Sequence, residues 1–235
     1  MTAANSLIQV LKKNSNVFHP VVPFDPFTER LVSLDLTAGN TQLTEEIISH
    51  TDLFSAFIRN YNLKNRAKYA IGGYDELRTM YSRSQVFNAE QKGEEPRRLH
   101  LGIDIWGDAG TPVFCPLGGM VHSCAMNNAD GDYGATMILL HQLEGISFYS
   151  LYGHLSEADL VIAPGAYINH GQEMAHLGEP AENGNWPPHL HFQLIMDMEL
   201  REGDYPGVCR YSERNRYLSN CPDPDLILQM NRFIK

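Results

Sequence analysis

The chain has 235 residues, 43% of them hydrophobic and 20% charged, enough apolar material for a real core in one large domain or one domain with an appendage. A net charge of -10 argues against sequence-independent nucleic-acid binding and, weakly, against adhesion to an anionic wall or membrane. No apolar run reaches the length of a membrane helix, and the opening MTAANSLIQVLKKNSNVF lacks the features of an export signal, so the expected location is the cytoplasm unless a leader has been removed.

The first predicted element is a helix over Thr2 to Asn14, with Leu7, Val10 and Leu11 on one face. The proline-rich FHPVVPFDPF that follows cannot be helical. Thr44 then precedes EEIISHTDLFSAFIRNY, where Ile47, Ile48, Leu53, Phe54, Phe57 and Ile58 form a helical stripe opened by acidic residues. GGYDELRTMYS reads as a loop or short ordered arm.

From about Arg97 the texture changes. Short runs such as HLGIDIW, PVFCPL, ATMILLHQ, SFYSLYGHL and LHFQLIM alternate with turns such as GDAG, NNADGDYG, LEG and ENGN. This spacing predicts a mainly β structure, a β-sandwich or barrel-like pair of antiparallel sheets, behind an N-terminal helical extension. GTPVFCPLGG and GAYINHGQEMAHLG are loosely alike and hint at a duplicated hairpin unit. The boundaries drawn from this texture are 1–96, 97–200 and a C-terminal cap at 201–235. Cys115, Cys124, Cys209 and Cys221 form no CxxC pair and are expected as free thiols.

The chemistry gathers on histidines. His189 and His191 lie two apart in PPHLHFQLIM, which on a strand puts both rings on one face about 6.6 Å apart, with Phe192, Leu194 and Met196 packing elsewhere. Taken alone, such a pair is also what two polar outer positions of a half-buried strand would give. HLGIDIW adds His100 and Asp104. On a straight strand these would stand about 13 Å apart, but Gly102 allows a bend between them, after which both are suitable zinc ligands. SLYGHLS adds His154. The other histidines, His19, His50, His122, His141, His170 and His176, read as surface or strand positions, with His176 worth checking.

In this order, HLGIDIW, GTPVFCPLGGMV, YGATMILLH, FYSLYGHLS and PPHLHFQ resemble the lysostaphin/LytM family of zinc endopeptidases over about Arg97 to Asp197. The resemblance implies a duplicated hybrid motif fold and one Zn2+ per chain. It also implies His100, Asp104 and His191 as metal ligands and His154 and His189 as catalytic, non-ligand histidines. The implied substrate is a peptide or peptidoglycan fragment. Three protein ligands leave one zinc position open, and a neutral histidine nearby can move a proton; which of the two is the base stays open here.

GGYDELRTMYS, NGNWPPHLHFQ and CPDPDLIL are also similar to the peptidase-like module of fusion proteins that join a kinase-like domain to a class III aminotransferase domain. That likeness implies a small cytosolic amide or metabolite as an alternative substrate. A non-catalytic binding or activator module of the same fold is a second alternative, disfavoured because all five positions are filled. Tyr74, Asp75, Glu76, Arg78 and Tyr81 are expected either to line one wall of the cleft and narrow it or to form a surface loop. Nothing in the sequence fixes the oligomeric state.

Overall fold

The computed structural model describes residues 3–89 and 93–234. The elements run in the order α1 (Ala3–Lys13), β1 (Leu31–Leu34), α2 (Glu45–Ser49), α3 (Thr51–Asn65), β2 (Tyr69–Gly72) and β3 (Glu76–Leu77). After them come β4 (Leu99–His100), β5 (Ile103–Trp106), β6 (Pro112–Phe114), β7 (Gly119–Asn127), β8 (Gly134–Leu143) and β9 (Ile146–Leu155). The chain closes with β10 (Tyr167–Ile168), β11 (Glu173–His176), β12 (His189–Ile195), β13 (Val208–Cys209), α4 (Arg214–Asn220) and α5 (Asp225–Leu228).

The structure is mainly β. Its main sheet has the order β1-β2-β5-β12-β9-β8-β7-β10. Every neighbouring pair is antiparallel except β1 and β2, whose parallel pairing needs the long crossover through α2 and α3. Two smaller sheets, β11-β6 and β13-β4-β3, complete the β framework. The two similar segments seen in the sequence lie against one another, with β6 on β11 and β7 on β10.

Thr2 lies outside the described residues, and the first helix ends at Lys13, one residue before its predicted end. The predicted second helix is two helices. Thr44 caps α2 by accepting from the Ile47 amide, and the chain turns extended at His50 (φ -116°, ψ 113°) before α3 begins. The turn lets Ile48 and Phe54 both reach the core, while Leu53 stays exposed. The segment before residue 97 holds these helices and also β1, β2 and β3, and its β2–β5 and β3–β4 pairings cross the boundary read from the sequence.

The position of β12 governs the site. It lies between β5 and β9, and all seven of its residues are buried. Leu190, Phe192 and Leu194 fill the main core with Ile103, Ile105 and Tyr152. His189, His191 and Gln193 project from its other face, so these polar residues are covered rather than outward-facing. The four cysteines are free thiols. His141, expected at a surface or strand position, is on β8 and buried. No helix among the described residues is long and apolar enough to cross a membrane.

Candidate metal centre and catalytic cleft

The strand register brings the polar residues together. His191 on β12 stands opposite Asp104 on β5, and His189 opposite Trp106. On the other side, His191 stands opposite Gly153 of β9, next to His154. His100 and Asp104 belong to different sheets, because the chain changes sheet at Leu101–Gly102. His100 Nε2 is thereby 3.2 Å from Asp104 Oδ1. Gly102 is required there by space. A Cβ on it would stand 2.5 Å from the His191 ring and 2.8 Å from the Phe192 carbonyl oxygen.

Among the described residues, His100, Asp104 and His191 form the group able to share a metal ion. His100 Nε2 is 2.9 Å from His191 Nδ1, which is 3.1 Å from Asp104 Oδ1. A tetrahedron with ligands 2.0–2.2 Å from its centre has edges of about 3.3–3.6 Å, so these three atoms are slightly contracted from such an arrangement.

Hydrogen bonds on the far sides of the rings fix what the cluster offers. His100 Nδ1 donates to the Gly73 carbonyl at 2.9 Å, leaving a lone pair on Nε2. Gln193 donates its amide to the Pro206 carbonyl, so its oxygen faces His191 and accepts from Nε2 at 3.0 Å. That leaves a lone pair on His191 Nδ1. Two lone pairs and a carboxylate oxygen thus converge. Burial, then the Arg78 charge, lowers the His100 pKa to about 3 despite Asp104, so a proton is a poor way to relieve that convergence. The donor set fits a divalent cation such as zinc.

Asp104 is held ionised. Burial opposes its charge, but the permanently charged Arg78 guanidinium bound to Oδ2 favours the anion, and the carboxyl lies well below its ordinary range. Arg78 is fully buried. It donates through Nη1 to Asp104 Oδ2 and to the Tyr81 hydroxyl at 3.1 Å, through Nε to Glu76 at 2.6 Å, and through Nη2 to the Gly73 carbonyl at 3.1 Å.

The arm therefore divides its work. Of the five residues considered for the cleft wall, Tyr81 alone lines it. Tyr74 donates to the Cys221 carbonyl and Asp75 pairs with Arg214, while Glu76 and Arg78 support Asp104 from behind.

His154 and His189 stand beside the cluster with ring centroids 4.1 Å apart. His154 Nδ1 donates to the Asn183 carbonyl at 2.8 Å, and His189 Nδ1 to the Pro187 carbonyl at 2.7 Å. Each is left with an unprotonated Nε2, and both rings line the cleft. Burial and then the neighbouring histidine hold His154 well below its ordinary pKa. Burial also lowers His189 to about 4, and Trp106 stacks on its ring at 3.9 Å. The His154 backbone takes φ 63°, a region few non-glycine residues occupy. It is pinned there by bonds from its amide to Tyr133 O and to its carbonyl from Gly178 N. His176 is elsewhere, paired with Asp159.

The cleft encloses about 360 Å³, with Tyr133 and Trp186 among its lining residues. Neither was singled out in the sequence. Tyr133 sits in a Gly/Asp-rich turn with no local signal. Gln193, also missed, was readable as the third alternate position after His189 and His191.

The sequence profile of Peptidase family M23 matches residues 98–201. The L-Ala–D-Glu endopeptidase of Bacillus subtilis (strain 168) is 28% identical over 146 residues, covering 60% of this chain and 43% of that protein. The chain thus spans less than half the length of this curated relative. Among solved structures, the lysostaphin catalytic domain of Staphylococcus simulans aligns with a TM-score of 0.39 and 17% identity, over 69% of this chain and 96% of that one. A zinc-containing peptidase from Vibrio cholerae aligns with a TM-score of 0.35 and 22% identity, over 46% of this chain and 30% of that one.

Proposed function

We propose that this chain, which carries a Peptidase family M23 domain of the lysostaphin/LytM type at residues 98–201, is a zinc-dependent peptidase that hydrolyses peptide bonds of peptidoglycan or its fragments. The observation that carries the reading is the convergence of two lone pairs and one carboxylate oxygen from His100, His191 and Asp104, beside two neutral histidines. The non-catalytic alternative has no support from a cluster in which every one of these groups is present.

His100 Nε2, His191 Nδ1 and Asp104 Oδ1 would hold one zinc per chain. Zinc in such a site polarises a carbonyl and makes water a stronger acid. The chain's own residues supply the proton transfers. The His154/His189 pair presents unprotonated Nε2 atoms, so it accepts the proton lost by the attacking water and returns it to the leaving amine. Backbone carbonyls on both Nδ1 atoms hold the rings in the required tautomer. The stacked Trp106 fixes the plane of His189. Arg78, by occupying Asp104 Oδ2, leaves Oδ1 as the oxygen directed at the two histidines.

The test is metal analysis of the purified chain, with assays on soluble muropeptides and a panel of glycyl peptides. The expected result is one zinc per chain and hydrolysis that a chelator abolishes and zinc restores. A zinc-loaded chain that cleaves no soluble muropeptide, or a chain that binds only traces of zinc, would overturn the reading.

A further inference from the structure

The cleft has a wall that belongs to the segment before the family-matched region. Residues 80–87 form two short 3-10 turns, Met80–Arg83 and Gln85–Phe87, and Met80, Tyr81, Val86 and Phe87 face the cleft. This strap is fastened at several points. Its own Tyr81 and Phe87 rings pack at 4.8 Å, and the Phe87 carbonyl accepts from the Arg97 amide.

At its middle the strap meets the opposite rim. Ser84 is 1% exposed, and its hydroxyl donates to the Asp130 carbonyl at 2.5 Å. The contact depends on Gly131 (φ +84°), where a Cβ would stand 2.4 Å from Ser84 Cβ. The rim is itself tied across. The Gly131 amide donates to Gly184 O, and Asn185 donates to Asp130 Oδ1 at 2.8 Å. Beside this contact the Arg83 guanidinium lies 4.8 Å over Trp186 and donates to Thr51 at 2.9 Å.

A groove that lets a polymer pass needs its two walls apart at both ends. Here the walls meet at Ser84 and Gly131, and the space left is at the small end of the range for ligand clefts, about 300–1,000 Å³. We propose that the strap is the specificity-determining element of the site: it stoppers one end of the cleft, so the substrates are short soluble peptides cut within a few residues of a free end, and cross-linked wall is excluded. This rests on the peptidase reading above and narrows its substrate class.

The test uses the full zinc-loaded chain on two forms of the same bonds, intact sacculi and the soluble muropeptides released from them by a muramidase, with products read by mass spectrometry. The expected result is hydrolysis of the soluble peptides near an end and at least a hundredfold slower release from sacculi. Comparable rates on both, or cuts in the middle of long peptides, would overturn the strap proposal and leave the peptidase reading intact. Hydrolysis of neither would remove the peptidase reading and this proposal with it. A Ser84→Ala, Phe87→Ala variant should raise the sacculus-to-soluble rate ratio at least tenfold, as should Gly131→Ala, which pushes on Ser84 from the other side. An unchanged ratio in a variant with wild-type circular dichroism and zinc content would count against the strap.

Discussion

Arg78 and Asp104 are partners at the floor of the cluster: Nη1 of the arginine binds Oδ2, and Oδ1 of the same carboxylate faces His100 and His191. A residue from the arm thus sets the orientation of a group in the strand framework. Arg78→Lys keeps the charge but cannot span Asp104, Glu76, Tyr81 and Gly73 at once. Zinc affinity should fall roughly ten- to a hundredfold, the usual effect of losing a support behind a ligand. Competition with a chromophoric chelator measures it, and an unchanged affinity would separate Arg78 from the metal.

Asp104→Ala should abolish zinc binding. It also leaves Arg78 with Glu76 as its one remaining carboxylate partner in a buried place, so the metal-free variant should be less stable than the metal-free parent by about 3 kcal/mol. Urea unfolding of both apo proteins tests this. Full zinc occupancy in the variant would refute the ligand assignment.

His154→Ala and His189→Ala should each retain zinc and lose about a hundredfold or more in turnover. Metal content and kcat must be measured on the same preparations. Loss of zinc from either variant would make that histidine a ligand and reverse the division of roles.

Gly102→Ala puts a methyl group where the His191 ring stands. The ring must move, and the expected outcome is loss of zinc together with a lower unfolding midpoint. A variant that binds zinc normally would mean that β12 can shift without disturbing the cluster.

His141 offers a pH test away from the cluster. Burial lowers its pKa to about 4, against the upward pull of the Gly118 and Leu117 carbonyls, and the Ser150 hydroxyl is 2.6 Å from Nε2. The folded value is below the ordinary 6.5, so the unfolded chain takes up a proton first as pH falls. Above about 6.5 the residue contributes no pH dependence. Between about 6.5 and 4 it reduces stability by up to about 1.4 kcal/mol per pH unit, and below about 4 the loss levels off. Unfolding free energies at pH 7, 6 and 5 should fall less steeply for His141→Gln than for the parent; equal slopes would contradict the assignment.

The polar cluster was legible because strand alternation is a strict rule: His189 and His191 had to share a face, and the glycine between His100 and Asp104 marked the bend. The burial of that face was not legible, since it depends on β5 and β9 flanking β12. Nor was the role of Arg78, because its partner is 26 residues away and its own sequence reads as a polar loop. The break at His50 lacks the proline or glycine that announces one.

The pairing of β2 with β5 has a consequence for how the protein can be divided. Residues 98–201, expressed by themselves, would present β5 with one side of its backbone unpaired, and this strand is hydrophobic at Ile103, Ile105 and Trp106. Such an edge invites strand addition from a second molecule. The same cut removes Gly73 and Arg78, which hold His100 and Asp104 in place. The family-matched stretch is therefore not expected to fold and bind metal by itself, and a piece of this chain that does both has to include β2 and the arm that follows it.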